Sequence, residues 1–169
     1  MTRRGAARAA TARVRERRSR YTAAIAGPVV VDASIAFLWF ANEPDRWGAE
    51  QLLETDSSLL APDLMAVEVT NAWWKKLRRR EMELADVEQA VTNLLALGIV
   101  WTSSTVLLRA AASLAVELGH PVYDCLYLVL AASRSAPIAT ADDRLRRAAE
   151  RIGVRIWSGG GPVTQRSSE

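Results

Sequence analysis

Two short apolar segments, PVVVD over 28–32 and PIATAD over 137–142, each read as a buried strand that runs out of hydrophobic residues at an aspartate. If the two strands are parallel neighbours in one sheet, their C-terminal ends lie side by side. Ligands of open α/β sheets bind at such ends, where the strand order reverses. Two carboxylates would then face one crevice. Carboxylates held together without basic partners repel each other, so they either share a proton or hold a divalent cation.

The rest of the chain supports that architecture. Helical patterns over 33–41, 45–55, 64–80, 84–97, 107–118, 122–133 and 143–152 alternate with short apolar strands over 58–61, 99–102 and 154–157. Gly98 and Gly119 stand where the fourth and fifth of these helices should stop. The longest helix, 64–80, carries apolar residues at Leu64, Val67, Trp74 and Leu77 and ends in a basic run of Lys75, Lys76 and Arg78, Arg79 and Arg80. Strands alternating with helices imply a parallel sheet covered on both faces.

Several function classes are excluded by what is missing. No Gly-x-Gly-x-x-Gly or Walker-type loop opens a helix, which argues against a dinucleotide site or a P-loop. No serine sits in a nucleophile-elbow context. One histidine, His120, and one cysteine, Cys125, cannot make a zinc site of His and Cys ligands. Cys125 lies in the apolar stretch CLYLVLAA, reads as a buried small hydrophobe, and is consistent with a reducing, cytoplasmic setting. The length of 169 residues, with 50% hydrophobic and 24% charged, suits one soluble domain, expected over 27–158. No apolar run approaches the ~18 residues of a membrane-spanning helix, so no membrane association is expected.

The formal charge of +3 conceals an asymmetry: residues 1–26 hold eight arginines against Glu16 alone, a charge of +7, which leaves the remainder at −4. The composition of 1–26 suits a disordered basic leader, and also a phosphate-binding arm, an organelle transit peptide or an upstream translation start. The polar, Gly-rich residues 159–169 are expected to form a flexible tail.

Further acids join the two strand-end aspartates. Glu68 lies one turn into the long helix with Asn71 at i+3, on the same face. Asp124 lies in the first turn of a helix otherwise free of charge over 125–132, where a carboxylate needs the helix N-terminus, a cation, or both. Capping is the plain alternative for Asp32 and Asp142, each of which precedes a helix.

In order and spacing, VVVDASIAFLWF, APDLMAVEVTNAWW, HPVYDCLYLVLAA and PIATADDRL resemble the four acidic motifs of the PIN-domain ribonucleases, and most closely the VapC-type toxins of toxin–antitoxin pairs. The resemblance covers roughly 29–157. It implies a three-layer α/β/α fold with a five-stranded parallel sheet of order 3-2-1-4-5. In that order the first and fourth strands adjoin at the reversal. It also implies that Asp32, Glu68, Asp124 and Asp142 form an acidic catalytic cluster holding Mg²⁺ or Mn²⁺, with Ser34, Asn71 and Thr140 as supporting groups. The implied activity is metal-dependent endoribonuclease cleavage of RNA by a toxin with a cognate antitoxin, acting as a homodimer in the cytoplasm.

The chemistry is consistent with the charge. A phosphodiester is an anion, and four carboxylates would repel it unless divalent cations reversed the local potential. Hard oxygen ligands favour Mg²⁺ or Mn²⁺. Arg78, Arg79 and Arg80, with Arg144 after Asp142, are candidates for contact with the RNA backbone. Of the adjacent Trp73 and Trp74, one is expected in the core and the other on a dimer or antitoxin surface. Asp143 competes with Asp142 for the fourth acidic position; the resemblance implies Asp142, which follows Thr140 at the family's spacing, and Asp143 is better placed on the solvated helix. The alternatives are an inactive PIN-like module that binds RNA or protein, and another metal-dependent phosphohydrolase. A phosphatase with an aspartyl nucleophile would show Asp-x-Asp where this chain has Asp32-Ala33-Ser34.

Overall fold

The computed structural model describes residues 27–40 and 46–158, and the side chains of 46 and 47 are outside that description. The expectations for the leader 1–26 and the tail 159–169 therefore lie outside the described residues. In chain order the elements are β1 (Val29–Val31), α1 (Ala33–Leu38), α2 (Arg46–Glu54), β2 (Leu59–Pro62), α3 (Leu64–Arg78), α4 (Leu84–Leu95), β3 (Val100–Thr102), α5 (Ser104–Leu118), α6 (Val122–Ser133), β4 (Ile138–Ala139) and α7 (Asp143–Arg151).

The sheet is parallel throughout, in the order β3-β2-β1-β4. Val30 pairs with Leu60 on one side and with Ile138 on the other. β1 and β4 are therefore adjacent, and the order reverses between them. The crossovers from β1 through β2 to β3 run in one direction across the sheet and the return through α5 and α6 to β4 runs in the other, an order for which the right-handed rule puts the two sets of helices on opposite faces. α6 packs against β1, β2 and β4, while α1 and α4 pack on α3.

The expected fifth strand is not a strand. Four strands form the sheet, and the segment expected at 154–157 makes a single parallel bridge, Ile156 to Ile138. It lies beside β4, where the fifth position was expected. Ile138 N–H donates to Arg155 C=O at 2.9 Å, and Trp157 N–H donates to Ile138 C=O at 2.8 Å. The physical reason is length, because β4 has two residues and offers a neighbour no longer ladder.

Residues Val29, Val30 and Val31 are all buried, as a strand covered on both faces requires. α6 buries Cys125, Leu126, Tyr127, Leu128 and Leu130, which occupy more than one face of the helix and make it the central one. α3 corrects the expected register: its buried stripe is Met65, Val69 and Trp73 at a spacing of four, whereas Val67 is 65% and Trp74 46% exposed. The helix has two apolar stripes, and only the packing selects one. Trp73 is fully buried, edge-on to Phe40 at 80° with centroids 5.7 Å apart.

α5 starts at Ser104, three residues before the first periodic apolar position, because its first turn is fixed by polar contacts. Asp63 accepts from Ser104 N–H at 2.9 Å and from the Ser104 hydroxyl. The same contact ties the start of α3 to the end of β3. Gly119 ends α5 at φ +61°, a conformation that favours glycine, and the chain turns into α6 at 110°. No single described helix is long and apolar enough to cross a membrane; the α5–α6 pair passes by composition, but it is bent and α6 is the core helix.

Candidate active site

Asp32 follows β1 directly and caps α1. Its Oδ2 accepts from Ser34 N–H at 3.3 Å, Ser34 Oγ at 2.5 Å and Thr140 Oγ1 at 2.9 Å. The same two hydroxyls accept in turn from the loop after β4: Ser34 Oγ from Ala141 N–H at 2.9 Å, and Thr140 Oγ1 from Asp142 N–H at 3.0 Å. This lattice joins the ends of the adjacent strands β1 and β4 across 108 residues of sequence. Burial raises the Asp32 pKa above the usual carboxylate range, against the pull of those hydrogen bonds.

Glu68 comes from the second turn of α3 and is half-buried. Tyr127, on α6, donates its hydroxyl to Glu68 Oε2 at 2.5 Å. Burial raises the Glu68 pKa, the Tyr127 bond opposes it, and the charges of Asp32 and Asp124 push it further up. Tyr127 is buried and held well above its ordinary value, first by burial and then by the charges of Glu68 and Asp32. Its proton stays on.

Asp124 opens α6 and is also half-buried. Burial raises its pKa, His120 lowers it, and the charges of Asp32 and Asp142 raise it again. The Nε2 of His120 is 2.9 Å from Asp124 Oδ2 but finds no hydrogen-bond geometry there. The contact is one of proximity, and it becomes an ion pair when the imidazole carries a proton.

Asp142 differs from the other three. It is exposed, and its Oδ1 caps α7 by accepting from Arg144 N–H at 2.6 Å and Leu145 N–H at 3.2 Å. Its charge reaches Asp124. Asp143 is more remote, exposed and paired with Arg146 at 2.8 Å. The capping alternative thus holds for both Asp32 and Asp142, and capping does not stop either from facing the acids around it.

Asp32, Glu68 and Asp124 are therefore mutual neighbours, supported by Ser34, Thr140, Tyr127 and His120. Asn71 is exposed, and no hydrogen bond joins it to these acids. Tyr127 and His120 carry no assigned role from the sequence alone. The available signal was their spacing from Asp124, at i+3 and i−4, which places Tyr127 on its face of the helix.

A groove of about 520 Å³ leads away from Glu68, with Ser34 and Phe37 on α1, Ala72 and Lys75 on α3 and Arg79 at the C-cap of α3 among its walls. Of the four arginines expected to touch RNA, only Arg79 lines it. Arg78 lies over the Trp74 ring at 5.3 Å, Arg80 occupies the turn after α3 at φ +61°, and Arg144 is exposed in the first turn of α7.

The donor set suits a hard divalent cation: burial raises the pKa values of all three carboxylates, the charge of Asp32 adds to the shift of Glu68 and of Asp124, and a cation would relieve both the burial cost and the repulsion. Among the described residues no group of three or more His, Cys, Asp or Glu side chains stands at metal-ligating spacing.

The PIN-domain family model matches residues 29–151. Ribonuclease VapC3 of Pyrobaculum aerophilum is 32% identical over 120 residues, which span 69% of this chain and 91% of that protein. The crystal structure of PAE2754 from Pyrobaculum aerophilum superposes with a TM-score of 0.58 at 24% identity, covering 78% of this chain and 90% of that one, and shares the fold.

Proposed function

Because the chain belongs to the PIN-domain family, in its VapC-type branch, we propose that it is a Mg²⁺- or Mn²⁺-dependent endoribonuclease that hydrolyses RNA phosphodiester bonds as the toxin of a toxin–antitoxin pair. The observation that carries this reading is the meeting of Asp32, Glu68 and Asp124 at the sheet reversal, each with its pKa raised. Buried like charges are costly, and stability alone does not call for them.

Asp32, Glu68 and Asp124 would hold the cation, with Asp142 at the rim. When bound, the cation activates a water and stabilises the entering and leaving oxygens of an in-line displacement. The chain's own residues keep the acids in place. Ser34 and Thr140 orient Asp32 through its Oδ2, Tyr127 orients Glu68, and His120 offsets the charge of Asp124. The Tyr127 proton holds one oxygen of Glu68 and leaves the other for a ligand.

Partners and location follow from the toxin reading: an RNA substrate, a cognate antitoxin, a homodimer, and the cytoplasm. The exposed Val67 and Trp74 on α3 supply apolar surface for a protein contact. The test is cleavage of single-stranded RNA with Mg²⁺ or Mn²⁺ by the wild-type protein and by Asp32→Asn, together with growth arrest on expression and its relief by a neighbouring gene product. Loss of both activities in Asp32→Asn supports the proposal; equal behaviour of the two proteins rejects it and favours an inactive binding module.

A further inference from the structure

The groove beside Glu68 has an ordered charge distribution. Glu68, Ala72, Lys75 and Arg79 stand at i, i+4, i+7 and i+11, so they form one stripe along α3 to its C-cap, and all four line the groove. At 1.5 Å per residue the backbones of Lys75 and Arg79 lie about 10 and 16 Å along the axis from that of Glu68. The stripe thus runs from the acidic cluster to two cations, with the small Ala72 between them.

Among the described residues neither Lys75 nor Arg79 is ion-paired. Their neighbours are engaged differently. Lys76 also lines the groove, but it pairs with Glu81 at 3.1 Å and lies 5.7 Å from the Phe37 ring centre, while Arg78 lies over Trp74 outside the groove. The facing wall, from α1, is apolar through Phe37 and Leu38. Cations along one side of a groove with an aromatic and aliphatic wall on the other match the needs of a single strand, whose phosphates are charged and whose unpaired bases present apolar faces. A duplex keeps its base faces stacked inside and gains nothing from the apolar wall.

We infer that Lys75 and Arg79 hold the backbone of a single-stranded RNA segment flanking the scissile phosphate, with its bases against the Phe37 wall, and that this stripe sets substrate affinity. The inference rests on the nuclease reading and deepens it by assigning a substrate track. Both cations are exposed, so their removal leaves the core intact.

The test measures binding of a short, fluorescent single-stranded RNA and of its matched duplex in Mg²⁺, in an Asp32→Asn background that does not cleave. Lys75→Ala/Arg79→Ala is compared with Arg109→Ala, which removes an exposed charge on α5 that does not line the groove. The double variant is expected to bind the single strand about tenfold more weakly, and the salt dependence should fall by roughly 1.4 in slope for two lost phosphate contacts. With position 32 restored to aspartate, KM should rise while kcat holds. Equal affinity and slope in the two variants, or tighter binding of duplex than of single strand, overturns the inference. If that happens while cleavage by the wild type still depends on Asp32, the nuclease reading stands alone; if Asp32→Asn cleaves like the wild type, both fall.

Discussion

The hydroxyl of Tyr127 donates to Glu68 Oε2 at 2.5 Å, joining α6 to α3 across 59 residues of sequence. Both groups carry raised pKa values, and the bond moderates the Glu68 shift while reinforcing that of Tyr127. Tyr127 is a positioning residue for a carboxylate that burial alone would leave protonated more readily.

Replacing Tyr127 by Phe should therefore act on the pH profile more than on the fold. Without the donor, the Glu68 pKa rises further, and the acidic limb of metal-dependent cleavage moves to higher pH. The lost bond costs about 1–2 kcal/mol of stability. A pH–rate profile with the acidic limb unmoved would show that Tyr127 serves packing only.

Asp32→Asn should remove cleavage and yet stabilise the metal-free protein near neutral pH. Asn keeps an acceptor for Ser34 and Thr140 and removes a buried charge. Because burial raises the folded-state pKa of Asp32, its contribution to stability is fully present below the unfolded-state value and is lost as pH rises through the folded one. The gain in Tm, roughly 2–4 °C per kcal/mol for a chain of this size, should be largest above the raised pKa and shrink on acidification. Melting curves across pH in EDTA measure it.

Added Mn²⁺ should raise Tm in the wild type and do so far less in Asp32→Asn or Asp124→Asn. At a hundredfold excess over Kd the expected stabilisation is about 2.7 kcal/mol. A shift of equal size in all three proteins would place the cation elsewhere.

Asp142 and Asp143 should separate cleanly. Asp142→Asn keeps an α7 cap, since Asn caps as well as Asp, but removes a charge felt by Asp124; cleavage should fall while Tm holds. Asp142→Ala should also lose about 1 kcal/mol of stability through the missing cap. Asp143→Asn breaks only an exposed pair with Arg146 and should change neither property appreciably. Metal titrations of cleavage by the three variants test the order, and a defect confined to Asp143→Asn would reverse the assignment of the acidic position.

Much of this arrangement was legible in the chain. A strand that ends in aspartate, a Gly that stops a helix and a charge-free α6 each have a local cause, so β1, α5 and α6 fall close to where the periodicity puts them. α3 was legible as a helix but not in its buried face, because Val67 and Trp74 are as apolar as Val69 and Trp73. The fifth strand failed for a related reason: an apolar run fixes a propensity to extend, whereas a ladder needs a partner of matching length, and β4 offers two residues. The basic run after Asn71 gave the charge but not its division into Lys75 and Arg79 in the groove, Arg78 on Trp74 and Arg80 in the turn.

By itself the sequence determined the helices, four of the five expected strands and the parallel α/β class, because each depends on residue chemistry and on spacing within a short stretch. Tertiary structure alone decided which acids become neighbours and how each is held. Asp32, Glu68 and Asp124 reach one another only because the β1–β4 reversal brings α3 and α6 to the same end of the sheet. That convergence desolvates them, raises their pKa values together, and leaves the capping Asp142 exposed at the rim.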